Sequence, residues 1–112
     1  MKLPNGDKAQ IPESKIVGYL LSLAHEDGRS KAVFFRGYGF LPSDWNILAF
    51  ALKEHAVQCV VTSVEDSPFG KRYVVEGQID TPDGRTPLIR SVWFIESGEE
   101  IPRLVTAYPL RR

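Results

Sequence analysis

The spacing of the apolar residues changes once along this chain, near residue 57, and that change limits the folds it can form. Before it, apolar residues recur three and four positions apart, as at Ile16, Val17 and Leu20, which is typical of a helix face. From Val57 onward, apolar and polar residues alternate, as in half-buried strands. Since 112 residues suffice for one modest core, we expect a single domain, 1–112, with a helical part at about 12–56 and a sheet part at about 57–110.

The helical part divides at polar or glycine-rich breaks into two or three helices. His55, near the end of the last helix, is expected to interact favourably with the helix dipole when protonated. The predicted helices start at Pro12 and Glu13, at Lys31 behind a Ser30 cap, and behind a cap at Ser43 or Asp44; they end before His25, at about Gly37 and at about Ala56.

The sheet part contains four alternating runs separated by turn residues. Short turns between successive strands favour an antiparallel meander, so the fold class is α+β: two or three N-terminal helices packed on a four-stranded antiparallel β-meander. The predicted strands are Cys59–Val64, Arg72–Asp80, Leu88–Ile95 and Arg103–Tyr108, with turns at Asp66–Gly70, Thr81–Arg85 and Ser97–Glu100.

A two-residue turn with Gly98 at its first central position would fix the register of the last two strands. Alternation would then place four residues on one face, and Arg90 and Arg103 on the other. The four are Ser91, Trp93, Thr106 and Tyr108, in the pairs Trp93–Leu104, Ser91–Thr106 and Ile89–Tyr108.

Two interpretations of that face stay open. In one, Trp93 and Tyr108 are core or hairpin-packing aromatics and Thr106 is an ordinary strand residue. In the other, the hydroxyls of Ser91, Thr106 and Tyr108 line a concave sheet that faces the loop His25–Lys31. The two arginines have the same ambiguity, because a guanidinium on a central strand pairs with a carboxylate such as Glu76 or Glu54, or with a substrate phosphate.

The loop His25–Lys31 carries the clearest chemical signal. It brings the side chains of His25, Arg29 and Lys31 to the start of the second helix. Helix N-terminal N–H groups add partial positive charge at such a point, which favours an anionic ligand such as a phosphate.

Composition excludes several classes of function. With 14 basic and 14 acidic residues the net charge is zero, which argues against a broad basic surface for nucleic acid. One Cys and two His make a metal site improbable, and no cofactor-binding glycine motif is present. A lone Cys59, no apolar leader and no run long enough for a membrane span predict a cytoplasmic protein that does not contact membranes.

Several motifs together resemble a small bacterial family catalogued as a domain of unknown function. Members of that family occur as free-standing proteins beside a small antitoxin-like protein, or as terminal domains of larger polymorphic toxins. The resemblance covers nearly the whole chain. Because of that family's association, it implies a small antitoxin-like protein as a partner. The motifs are Leu3-Pro-Asn-Gly-Asp-Lys8, Tyr19-Leu-Leu-Ser22, His25-x-x-Gly28-Arg29-Ser30-Lys31-Ala32-x-Phe34-Phe35, Gly39-Phe40, Ser91-Val-Trp93 and Pro102-Arg-Leu-Val-Thr-Ala-Tyr-Pro109.

The architecture is also similar to the barnase, EndoU, colicin and RelE-like ribonuclease fold, whose members cut RNA without a metal. That similarity implies a toxin-like, metal-independent endoribonuclease acting by 2′-OH attack on the adjacent phosphate, with RNA as substrate and no cofactor. The implied catalytic residues are His25, Lys31, Thr106 and Tyr108; the implied substrate-binding residues are Arg29, Arg90, Ser91, Trp93 and Arg103.

The sequence also supports a second class of function, a non-catalytic protein-interaction module. Zero net charge, polar loops and an edge strand at Val57–Glu65 are its features. A small-molecule-binding domain is supported only by the aromatic content.

Overall fold

A computed structural model describes residues 1–110 of the chain. Helices occupy the first half and a four-stranded antiparallel sheet in the order β1-β2-β3-β4 the second, so the predicted α+β meander is confirmed. The elements are α1 (Glu13–Lys15) with a π-helical continuation (Ile16–Leu20), α2 (Arg29–Gly37), α3 (Trp45–Gln58), β1 (Val60–Ser67), β2 (Gly70–Gln78), β3 (Leu88–Glu96) and β4 (Arg103–Pro109), with short 3-10 turns at Gly6–Lys8 and Pro42–Asp44. No helix within residues 1–110 is long and apolar enough to cross a membrane.

The helices pack their apolar faces on one side of the sheet. Ile16, Leu20, Phe35, Leu48 and Leu52 are fully or almost fully buried there. Burying such aliphatic and aromatic side chains contributes roughly 1.5–3 kcal/mol each, and this term holds the two layers together. The opposite face of the sheet has no covering layer within residues 1–110.

The register of β3 and β4 is partly as predicted. Trp93 pairs with Leu104 as expected, but Val92 then pairs with Thr106, so one extra residue, Val105, bulges from β4. Beyond the bulge the predicted pairs are wrong by one position, and Ser91 faces Ala107.

The turn also differs from the prediction. Gly98, with φ 85°, occupies the second central position, because the N–H of Glu99 donates to the carbonyl of Glu96 at 2.9 Å. The chain then continues to Arg103 before β4 begins, so a longer loop replaces the two-residue hairpin.

A buried polar network joins α3 to the sheet. Nδ1 of His55 lies 3.0 Å from Oγ of Ser91, and Nε1 of Trp93 donates to the same Oγ at 2.9 Å. Nε2 of His55 lies 3.1 Å from the carbonyl oxygen of Gly77, which can only accept. Nε2 of His55 therefore carries a proton, and burial lowers the pKa of the ring, which favours its neutral form. Burial thus disfavours the protonated form that the expected interaction with the helix dipole requires.

Candidate functional site

Several polar and charged side chains meet around the phenol of Tyr19. Nζ of Lys31 donates to the Tyr19 hydroxyl at 2.6 Å, and Oγ1 of Thr106 lies 3.0 Å from it. Tyr19 comes from the π-helical stretch, Lys31 from α2 and Thr106 from β4, so three elements meet at this hydroxyl. The predicted Lys31 and Thr106 are thus brought together.

The bulge in β4 explains the position of Thr106. Leu104 and Ala107 are both buried against the helices, although three positions separate them and strict alternation would place them on opposite faces. The extra residue between them lets Thr106 reach Tyr19 while Tyr108 remains beside Arg90 on the far side of the sheet.

Two ammonium groups flank the Tyr19 ring. Nζ of Lys31 lies 4.9 Å and Nζ of Lys15 lies 5.3 Å from the ring centroid. Partial burial would raise the pKa of the Tyr19 phenol. The hydrogen bonds with Lys31 and Thr106 and the charges of both lysines oppose that effect, and the pKa is lowered. A phenol in this setting gives up its proton more readily than a free tyrosine.

His25 borders the same ring and also caps α2. Its ring meets that of Tyr19 edge-on, with centroids 4.9 Å apart. Its Nδ1 accepts the backbone N–H groups of Asp27 and Gly28, each at 3.0 Å. The predicted Ser30 cap is therefore wrong: α2 begins at Arg29, and His25 satisfies the free N–H groups before it. With Nδ1 accepting these bonds, the ring proton lies on Nε2, which can donate a hydrogen bond.

Gly28 sets the distance between the loop and Tyr19. A Cβ at this position would lie within 3.0 Å of the Tyr19 carbonyl oxygen and at 3.0 Å from its Cδ1. Only glycine lets the loop pack this closely on the π-helical stretch. The cluster of Tyr19, Lys31, Thr106 and His25, hereafter the Tyr19 cluster, depends on that close approach.

Two shallow grooves lie beside the cluster and give it access to solvent. One of about 410 Å³ is lined by Lys15, Tyr19 and His25, among others. The other, of about 380 Å³, is lined by Ser30, Lys31, Tyr108 and Pro109. Tyr108, a predicted catalytic residue, thus shares a groove with Lys31.

Of the predicted arginines, Arg29 lies at the entrance of α2, and Arg90 and Arg103 lie on the uncovered face of the sheet. Arg29 is exposed at the first position of α2. Arg90 forms an ion pair with Glu76, its Nε lying 2.6 Å from Oε2, and Arg103 pairs with Glu96. Arg90 and Arg103 are thus each paired with a carboxylate of a neighbouring strand on the uncovered face. The structural alternative predicted the Glu76 partner of Arg90.

The predicted substrate-binding role of Ser91 and Trp93 does not fit their burial. Both side chains have no exposed surface, and they belong to the His55 network between the sheet and α3. Inward-facing positions of β3 explain this, because Ile89, Ser91 and Trp93 alternate onto the helix-covered face. A surface ligand reaches neither side chain, so the core interpretation replaces the substrate-binding one.

Sequence reasoning missed Tyr19 as a site residue. The available signal was weak: Lys15 precedes it by four positions, which places both on one helix face. Its contacts with Lys31 and Thr106 join residues 12 and 87 positions apart, which no local pattern reports.

Within residues 1–110, no group of three or more His, Cys, Asp or Glu side chains is placed to hold a metal ion.

The chain matches a family pattern described as "Domain of unknown function (DUF6883)" over residues 2–111. It belongs to the DUF6883 family.

Outside this family pattern, sequence similarity is sparse. No curated protein has significant similarity to this DUF6883 domain. A solved structure described as a contact-dependent growth inhibition toxin–immunity protein complex from Klebsiella pneumoniae 342 contains a chain of similar fold. The TM-score is 0.68 at 13% identity, and the match covers 89% of the DUF6883 domain and 98% of the other chain.

Proposed function

We propose that this DUF6883 domain is a toxin-like, metal-independent endoribonuclease whose active site is the Tyr19 cluster. The observation that carries the proposal is the contact of Lys31 Nζ with the Tyr19 hydroxyl at 2.6 Å beside Thr106, which lowers the pKa of a partly exposed phenol. Perturbed titratable groups at a surface groove are typical of active sites. The chain's similarity in fold to a chain of a toxin–immunity complex supports a role related to toxins or their immunity proteins.

In the proposed reaction, the 2′-oxygen of a ribose attacks the adjacent phosphorus and the bond from phosphorus to the 5′-oxygen breaks. The 2′-OH proton passes to solvent water in the open groove. The Tyr19 hydroxyl gives its proton to the departing 5′-oxygen, and solvent later restores that proton. The products carry a 2′,3′-cyclic phosphate and a 5′-hydroxyl.

The neighbours of Tyr19 stabilise charge in this scheme. The ammonium groups of Lys31 and Lys15 attract the phosphate and the phenolate that forms when Tyr19 gives up its proton. His25 donates through Nε2 to a phosphate oxygen, because its Nδ1 is occupied by the α2 cap. Thr106 orients the phenol, and Tyr108 contacts the RNA in the groove beside Lys31.

The test is cleavage of total cellular RNA by purified protein in excess EDTA. Wild type is expected to produce discrete fragments, and Lys31→Ala is expected to lower the rate on the order of 100-fold, as loss of a group stabilising transition-state charge does. Lys8→Ala, which removes an exposed lysine of the N-terminal 3-10 turn, is the matched control and keeps full activity. Intact RNA with folded wild-type protein would contradict the proposal.

A second candidate function, a non-catalytic module that binds a small antitoxin-like protein, is favoured by the exposed edge of the sheet. Seven of the eight residues of β1 are exposed, including Val60 and Val64. Phe69, in the turn that follows, is 77% exposed. Edge strands with exposed apolar side chains are common protein-docking surfaces. Binding of a partner protein without RNA cleavage would support this candidate.

A further inference from the structure

A cavity of about 630 Å³ lies at the end of the sheet where its two hairpin turns meet, away from the Tyr19 cluster. Tyr73 and Trp93 form a buried cross-strand pair under the helices. The next pair on the same face toward the turns, Lys71 and Ile95, lines the cavity together with Tyr73. Asn5 closes one side and is held there by its Nδ2, which donates to the carbonyl of Glu100 at 2.9 Å.

The hydroxyl of Tyr73 opens into this cavity. The residue is only 7% exposed, yet its hydroxyl has no hydrogen-bond partner among residues 1–110 and is not sealed from solvent. The Tyr73 hydroxyl is thus free to bond a ligand in the cavity.

The rim of the cavity is acidic, with four carboxylates that are only partly neutralised. Nζ of Lys71 lies 3.7 Å from Oδ1 of Asp66, and Arg103 pairs with Glu96 from the uncovered face of the sheet. Glu99 and Glu100 have no ion pair among the described residues. Two carboxylates therefore remain to attract a cation.

We propose that this cavity binds a primary ammonium on a short alkyl chain, from either a free polyamine or a lysine side chain of a protein. The ammonium donates to the Tyr73 hydroxyl and to the carboxylates of Glu99 and Glu100, and its alkyl chain packs on Ile95 and Pro4. A phosphate is repelled by the same rim, so the site is distinct from the proposed RNA site. It stands whether or not the domain cleaves RNA.

The test follows the NMR spectrum of the isotope-labelled chain at low salt during titration with two probes, putrescine and Nα-acetyl-lysine amide. Tyr73, Gly98 and their neighbours are expected to shift with both probes. Tyr73→Phe is expected to weaken binding about fivefold, the loss of one hydrogen bond, and leaves stability unchanged since that hydroxyl bonds nothing in the described chain. The double variant with Glu99→Gln and Glu100→Gln is expected to weaken binding more than Tyr73→Phe does.

Two control variants lie outside the cavity: Tyr38→Phe, near the β2–β3 loop, and Glu13→Gln, on α1, both of which keep wild-type affinity. Binding of both probes supports the site and allows a protein lysine as its natural ligand. Binding of putrescine alone supports the site and assigns it to a free polyamine. Absence of binding by both probes, or equal affinity in wild type and Tyr73→Phe, would overturn the proposal.

Discussion

Nζ of Lys31 lies 2.6 Å from the hydroxyl of Tyr19, and this contact links α2 to the π-helical stretch at the surface of the domain. The ammonium donates to the phenol oxygen and favours its ionised form. It also places a positive charge where a phosphate can bind.

The first prediction concerns that ionisation. Lys31→Met removes a hydrogen bond and a charge that lower the pKa of Tyr19, so the pKa is expected to rise and phenolate to form only at higher pH. The ultraviolet absorbance of tyrosinate in a pH titration measures this, with Tyr19→Phe identifying the Tyr19 contribution. Lys8→Met serves as control and leaves the titration unchanged. An identical curve for Lys31→Met would contradict the contact.

The second prediction tests the close approach at Gly28. Gly28→Ala places a Cβ within 3.0 Å of the Tyr19 carbonyl and forces the loop away from the π-helical stretch. We expect a loss of about 1–3 kcal/mol in the free energy of unfolding, measured by chemical denaturation. Gly18→Ala is the matched control, because a Cβ there meets nothing within 4 Å. Equal stability of the two variants would show that the loop does not pack as described.

The third prediction separates the core from the site. Ser91→Ala leaves the N–H of Trp93 and Nδ1 of His55 without a partner, so we expect a loss of about 1–3 kcal/mol in stability. At a temperature where the variant is folded, its RNA cleavage is expected to match wild type. Lys31→Ala should show the reverse, lost cleavage with a stability loss of only about 0.5–1.5 kcal/mol, that of one part-buried hydrogen bond. Thermal unfolding and cleavage rates of the two variants, measured side by side, check this.

The fourth prediction is a pH dependence of stability set by His55. Its folded-state pKa is lowered by burial, so the unfolded state binds the proton more readily. Stability is therefore full above the unfolded-state pKa of ~6.5 and falls as the pH drops from there toward the folded-state pKa. Urea denaturation between about pH 7 and about pH 5 measures the fall. His55→Gln, which cannot titrate, should show a smaller pH dependence in this window; an equal one would assign it to other groups.

The fold was predictable from the sequence because local patterns determine most of it. Helical spacing before residue 57 and alternation after it give the element types, and the turn residues give the meander. The register of β3 and β4 was predictable only up to Trp93, since the bulge at Val105 interrupts the strict alternation from which the remaining pairs were predicted. That one-residue shift places Tyr108 beside Arg90, on the face opposite to Ser91 and Trp93, with which it was predicted to share a face.

The candidate site was predictable in part. The His25–Lys31 loop showed charged and hydrogen-bonding groups close together in sequence. In the structure, His25 and Lys31 both contact Tyr19. The burial of Ser91 and Trp93 was not predictable, because either face of β3 mixes polar and apolar residues. Tyr19 was missed because its role depends on contacts with Lys31 and Thr106 from distant parts of the chain.

The most direct test of the central claim is whether Tyr19 protonates the leaving 5′-oxygen. Tyr19→Phe is compared with wild type on a short RNA that wild type cleaves, in EDTA, and on the same RNA with sulfur replacing the bridging 5′-oxygen. A thiolate leaves without protonation, so we expect Tyr19→Phe to be slower by roughly 100- to 10,000-fold on the oxygen substrate and close to wild type on the sulfur substrate. An equal loss on both substrates, or no loss on either, would contradict the assignment of Tyr19 as the general acid.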